Sequence, residues 1–330
     1  MAYTTIDDPT LYFSTTIYTG DGQQNRAVTI DGTGMQPDWL WVKGRSEAEG
    51  HVVGDSIRGA TLRLIPNAND AEATRATNIA SFTSDGFTVA NGGVDNAVNK
   101  NSQTFVSWAW KESATAGFDI VTYSGSAASS KTISHSLSAV PKMIIVKCRN
   151  AAENWAVYHH ALGNTHALFL NTTGASSDTP VFADTTPTSS VFSVSADDRT
   201  GADGKTYVAY CFADVKGYSK FGSYTGNGNA NGTFIYTGFK PAFVIIKATS
   251  GTENWRMYDN KRNGFNVDNE QLFPNLSNAE ASDADLDILS NGFKCQRNSG
   301  GFNGSGTTYI YMAFAENPFV TSTGVPATAR

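Results

Sequence analysis

Trp155, Tyr158, Trp255, Tyr258, Asp259, Asn260 and Arg262 are the side chains of this chain best suited to hold a sugar. Indole and phenol faces stack on the CH groups of a pyranose ring. Amide, carboxylate and guanidinium groups reach its hydroxyls. The same residue types recur at matched places along the chain, and fold constraints recur as readily as binding sites do. That recurrence favours a competing reading, a buried Trp beside a structural ion pair. Asp283, Asp285 and Asp287 alternate as the first ligands of a calcium loop do. Ile288 then stands where such a loop turns on glycine, and no Glu closes the set, so a solvated loop is expected. The histidines are His51, His135, His159, His160 and His166; neither an H-E-x-x-H helix nor paired-Cys zinc spacing accompanies them. In a strand the adjacent His159 and His160 fall on opposite faces. Gly300 to Gly306 lacks the Lys-Ser/Thr of a phosphate loop and reads as a flexible hairpin tip. No G-x-S-x-G elbow is present, and no copy repeats a Glu-rich strand that would pair carboxylates across a glycosidic bond. No catalytic residue, metal or cofactor is assigned, and the chain is expected not to be an enzyme.

The elements that must position these residues come in three copies. Phe105-Val106-Ser107-Trp108-Ala109-Trp110 returns as Tyr207-Val208-Ala209-Tyr210-Cys211-Phe212 and again as Tyr309-Ile310-Tyr311-Met312-Ala313-Phe314, from 105 to 207 to 309. A period of about 100 residues is a whole small domain, not a solenoid unit. The chain divides into an arm at 1–10, repeats at 11–112, 118–215 and 217–318, and a tail at 319–330. The joints between repeats are short and should hold neighbours close. Each copy opens on Tyr-Thr/Ser-Gly (Gly20, Gly125, Gly226), where glycine suggests a turn with positive φ. A Pro-led apolar run follows, ending in Lys43, Lys147 or Lys247, which reads as a central strand covered on both faces. Eight residues later stands His51, Trp155 or Trp255, and four further on Asp55, His159 or Asp259. Long polar segments come next, with a short helix expected within Asn69 to Ala80. The closing strands alternate bulky and small residues, which suits core packing better than an exposed sugar platform. The expected fold is all-β: three tandem antiparallel β-sandwich modules, jelly-roll-like, with the strand order unread.

Composition narrows the function classes. Aromatic content is 12% and charged content 16%, well under the roughly 25% charged residues of ordinary globular chains. The net charge is −6 and no Lys/Arg run occurs, so nucleic acid is not an expected partner. Cys148, Cys211 and Cys295 sit at non-equivalent places in the repeats, unlike a disulfide framework, and read as buried thiols formed in a reducing cytoplasm. The start of the chain has neither the basic nor the apolar stretch of a signal peptide, and no apolar run is long enough for a transmembrane helix. Membrane insertion is not expected.

Several strings together resemble a known group. Met1-Ala2-Tyr3-Thr4-Thr5-Ile6-Asp7-Asp8-Pro9 looks like the start of tail-fibre or virion proteins of marine tailed phages. So do Gly34-Met35-Gln36-Pro37-Asp38-Trp39-Leu40-Trp41-Val42-Lys43-Gly44-Arg45-Ser46 and Ser84-Asp85-Gly86-Phe87-Thr88-Val89. Gly222-Ser223-Tyr224-Thr225-Gly226-Asn227-Gly228 and Ala313-Phe314-Ala315-Glu316-Asn317-Pro318 are similar to the same group, whose lectin-like repeated module has no assigned function. The resemblance covers nearly the whole chain and supplies no catalytic or binding residue. It implies a structural protein of the tail or fibre apparatus, made in the host cytoplasm and carried in the virion, that attaches to the host surface, through glycans. Other virion proteins and further copies of the chain are the implied partners. A capsid decoration or collar protein, and a polysaccharide depolymerase, are the alternatives. The polar arm has no core of its own and is expected to reach a neighbour in the particle.

Overall fold

The computed structural model describes residues 3–32, 34–90 and 97–327; Met1 and Ala2 of the arm and 328–330 of the tail lie outside them. The protein is all-β: regular structure among these residues is strand, apart from single 3-10 turns at Pro9–Leu11 and Pro180–Phe182. The short helix expected within Asn69 to Ala80 does not form. Ala73–Thr74 and Ile79–Thr83 are strands, and the Glu72 N–H is bonded to the Arg149 carbonyl of the next repeat. That segment has no apolar stripe of helical period to bury, so strand pairing and the neighbouring repeat take its backbone groups.

Each repeat builds its main sheet in one order. The opening strand (Phe13–Thr19, Phe118–Ser124, Ser219–Thr225) pairs antiparallel with the closing strand (Thr104–Trp110, Thr206–Phe212, Thr308–Pro318). The closing strand pairs in turn with the Pro-led strand (Trp39–Gly44, Met143–Cys148, Phe239–Ala248), which is central, as its buried pattern predicts. Beyond it lies the strand Val52–Asp55, Ala156–His159 or Arg256–Asp259. A smaller antiparallel sheet contains Arg26–Thr29 with Gly86–Val89, Lys131–Ser134 with Val191–Val194, or Phe234–Tyr236 with Gly292–Cys295.

The near-continuous apolar runs follow from two cores, one on each side of the main sheet. Along the closing strands, Phe105 and Ala109, Tyr207, Ala209 and Cys211, and Tyr309, Tyr311 and Ala313 face each repeat's own core against the smaller sheet. The alternate residues Val106, Trp108 and Trp110, Val208, Tyr210 and Phe212, and Ile310, Met312 and Phe314 enter a single core shared by all three repeats. A strand alternates faces with period two, so both sets must be apolar. Aromatic rings join the repeats in a closed circuit. Trp39 stacks on Tyr210 at 4.7 Å, Phe212 meets Phe314 at 6.1 Å, and Phe314 stacks on Phe13 at 5.1 Å. The repeats are therefore three sectors of one body and not beads on a string.

The glycines after the opening strands are needed for close approach. Their N–H groups bond to the carbonyls of Gln103, Lys205 and Thr307. A Cβ on Gly20, Gly125 or Gly226 would lie 2.1, 1.8 or 2.4 Å from the oxygen of Lys100, Ala202 or Gly304. None of the three has positive φ, so the turn expected from sequence is not the reason. The arm does have a core to join. Ile6 is buried in the shared core, the Thr4 hydroxyl donates to the Lys216 carbonyl at 2.9 Å, and the Tyr3 hydroxyl to Gly238 at 2.7 Å. One apolar residue is enough to fold this polar segment back onto the third repeat.

Candidate functional site at the seams between repeats

Three seams close the body: repeat 1 on 2, 2 on 3, and 3 on 1. Each uses the same positions. In the first, Asp55 Oδ2 accepts from Arg58 Nε at 2.5 Å and from the Tyr210 hydroxyl of repeat 2 at 2.7 Å. Glu72 then ties Arg58, at 2.8 Å, to Arg149 of repeat 2, at 2.9 Å. The third seam repeats this chain. Asp259 Oδ2 accepts from Arg262 Nε at 2.6 Å and from Trp108 Nε1 of repeat 1 at 3.1 Å, and Glu280 joins Arg262 to Arg45. Burial alone would raise the pKa of Glu72 and Glu280; their flanking arginines overcome it and hold both below the ordinary value.

At the second seam this chain of positions is neutral. Tyr210 and Trp108 are matched by Met312, which offers no N–H or O–H, and Asp55 and Asp259 are matched by His159. His159 Nδ1 accepts from the Ala161 amide and Nε2 donates to the Tyr311 carbonyl at 3.3 Å; burial drives its pKa down to about 3. The arginine becomes Leu162, the glutamate Ser176 and the outer arginine Thr249, with the Ser176 hydroxyl bonded to the Thr249 carbonyl. Removing the donor on the closing strand leaves a buried carboxylate without a partner. The whole ion chain is absent with it, as the cost of unpaired buried charge requires.

The sequence candidates sit in these seams. Trp155 is buried and donates from Nε1 to the carbonyls of Ile65 and Ala68 in repeat 1; Trp255 donates to Phe169 in repeat 2. At the third seam His51 takes this place. It accepts from Trp41 at Nδ1 and donates from Nε2 to Phe273 of repeat 3. Asn67, Asn171 and Asn275 receive the backbone N–H of these three anchors, and the carbonyls just before or beside them bond the anchor of the neighbouring repeat, so the chain around each asparagine is a strap across a seam. Tyr158 lies in the core of repeat 2. Tyr258 donates to buried Asp285 at 2.5 Å; Asp259 and Arg262 form the ion chain; Asn260 is 4% exposed. All seven are interior and none offers a stacking face to solvent.

Three other expectations change. Asp283 to Asp287 belong to the strand Ala281–Leu289, and Asp285 is fully buried against Tyr258, Arg256 and Arg297; the segment is not a solvated loop. The strand ends at His159, so His160 escapes the alternation. Its ring lies 5.1 Å from that of His159, and its Nε2 donates to the Phe221 carbonyl. The glycine-rich turn at 300–306 is packed, because Phe302 and Asn303 within it are fully buried.

One seam is open on its outer side. At the first, Glu112 Oε1 accepts from the Ile120 amide at 3.0 Å, and Asp38 holds the Glu112 amide and the Ser56 hydroxyl. Burial, then Asp119 and Asp38, push Glu112 up to about 7. At the second, Asp214 accepts from the Phe221 amide at 2.8 Å. The side chains of Ile120 and Phe221 fill the shared core. At the third seam the matching residue is Thr15, which pairs with Trp108 as Ile120 pairs with Tyr210 and Phe221 with Met312. Asp38 and Lys142 are matched by Ala242. Two smaller residues leave a pocket of about 240 Å³, lined by residues that include Phe13, Thr15, Asp31, Ala242, Lys261 and Glu316. Thr15 is 2% exposed and its hydroxyl has no hydrogen-bond partner among the described residues. Glu316 Oε2 lacks one too, although it lies 3.4 Å from Lys240 Nζ. Lys261 and Asp31 pair across the seam at 3.2 Å. Of the sequence candidates only Asn260 also lines this pocket; the other lining residues carry no sequence signal singly, and laying the three copies side by side would have shown Thr15 in a column with Ile and Phe.

A family model described as Domain of unknown function (DUF7483) matches residues 8–318, and the chain belongs to that family. The match spans all three repeats together, in keeping with their common core. No curated protein and no solved structure matches the chain.

Proposed function

Taking that membership as the starting point, we propose that the protein is a structural component of a phage virion, in the tail or fibre apparatus, that engages the host surface. The observation that carries this reading is the closed circuit of three sectors around one aromatic core. Such a body is stiff, because seams, straps and arm all tie neighbouring sectors together. It suits a part that transmits contact between particle and cell. Several copies per particle would multiply weak contacts into firm adhesion, and glycans are the surface ligands the reading calls for. The sequence resemblance to tail-fibre and virion proteins points the same way. The test is to locate the protein in intact particles by antibody labelling and to ask whether the purified protein blocks adsorption. Labelling of the tail tip or fibres with blocked adsorption is expected. Labelling of the capsid or neck without blocking would replace it with a decoration or collar role, and reducing-sugar release from host polysaccharide with a depolymerase.

A further inference from the structure

We propose that the pocket at the third seam binds one uncharged sugar ring, or a polyol of similar size. At about 240 Å³ it falls below the roughly 300–1,000 Å³ of sites for drug-sized ligands, so one ring is the largest unit that fits. Its charges cancel: Glu316 lies beside Lys240, and Asp31 pairs with Lys261. Neither an anion nor a cation finds an uncompensated partner. Its unmet needs are those a hydroxyl satisfies. Among the described residues the Thr15 hydroxyl, which both donates and accepts, lacks any partner, and Glu316 Oε2 has only Lys240 Nζ at 3.4 Å. Buried polar groups without partners are rare in native proteins, and the Thr15 hydroxyl at this pocket is one of them. Phe13, Ala242 and Ala315 supply the apolar wall that the CH face of a sugar requires. The other two seams cannot serve, because Ile120 or Phe221 and Asp38 or Lys142 occupy the corresponding positions.

This inference draws on the attachment reading only for the use of the site, and the two are separately measurable. The full chain is titrated with the methyl α-glycosides of glucose, galactose and mannose by saturation-transfer NMR, with methyl glucuronide and inorganic phosphate as charged probes. Saturable binding of at least one neutral glycoside, above either charged probe, is expected. Thr15→Val keeps the side-chain shape and should weaken binding about tenfold, the worth of one hydrogen bond. Ala242→Lys, which installs the residue of the second seam, should abolish it. Thermal melts verify that both variants fold. No saturable binding of any neutral glycoside, preference for a charged probe, or unchanged affinity in both folded variants overturns the proposal. If the sugar binds and Thr15→Val loses it, the pocket stands, whether or not wild-type protein blocks adsorption. If adsorption is blocked while no glycoside binds, only the pocket falls.

Discussion

Trp155→Ala tests whether the three repeats are one cooperative unit. The side chain is fully buried in the shared core, and its indole N–H bonds two carbonyls of repeat 1 at 3.1 Å. Truncating a buried Trp costs about 3–5 kcal/mol through lost burial and the cavity left behind. Taking about 4 kcal/mol, the shift in melting temperature depends on how much of the chain unfolds together. Unfolding entropy is about 2.1 cal/mol/K per residue, so 330 residues acting as one lose about 6 °C. A repeat of about 100 residues melting alone would lose about 20 °C, and only a third of the signal would move. The assay is calorimetry together with far-ultraviolet circular dichroism and Trp fluorescence. One transition, coincident by all probes and lowered by the smaller amount, is expected. An early transition carrying a third of the amplitude, or proteolysis that removes residues 118–215 while the rest persists, would refute the common core as the unit of stability. Trp155→Phe, which keeps a ring but loses the donor, should cost about 1–3 kcal/mol.

Arg58→Leu leaves buried Asp55 and half-buried Glu72 short of a partner and should cost about 3–5 kcal/mol in denaturant melts. Adding Asp55→His, Glu72→Ser, Arg149→Thr and Tyr210→Met converts the first seam to the neutral set of the second and should recover most of that loss. Lys43, Lys147 and Lys247 are pushed down to about 8 from 10.5, chiefly by burial. The unfolded chain therefore holds more protons between those values, and stability should rise as pH climbs from 8 toward 10. Replacing the lysines singly by Met should flatten that slope stepwise, whatever each replacement costs at fixed pH. Glu112 has the opposite sign. Raised to about 7 from 4.5, it keeps a proton in the folded state that the unfolded chain has released, so its penalty grows between pH 4.5 and 7, is complete above 7 and is absent below 4.5. Glu112→Gln should accordingly raise the melting temperature at pH 8 and not at pH 4.

Much of the scaffold was legible because strand period and repeat period are local properties. The Pro-led runs announced strands buried on both faces, and Lys43, Lys147 and Lys247 marked their matching ends. What covered each face was not legible. Trp108 and Ala109 look like one packing pattern, yet one belongs to the common core and the other to the core of repeat 1. That difference depends on how sectors dock, which no window of sequence contains. The same gap explains the sugar candidates. Trp255 and Asp259 have the right chemistry for a ligand, but the Phe169 carbonyl of repeat 2 and the Trp108 indole of repeat 1 take it up first. The pocket escaped notice for the converse reason: Thr15 and Ala242 are unremarkable alone and informative only against their counterparts.

The differences among the seams have a consequence for how such a protein can change. A homotrimer of a single sector would meet itself identically three times, and every substitution would fall on all of its interfaces together. Widening one to admit a ligand would widen all, at triple the loss of packing. Covalent fusion of the copies lifts that constraint. Here one interface keeps its ion chain and its filled exterior, a second has neutral residues in place of that chain, and the third has retained the chain and opened outside. Symmetry supplied the architecture, and tandem duplication within one chain allowed it to be broken at a single place.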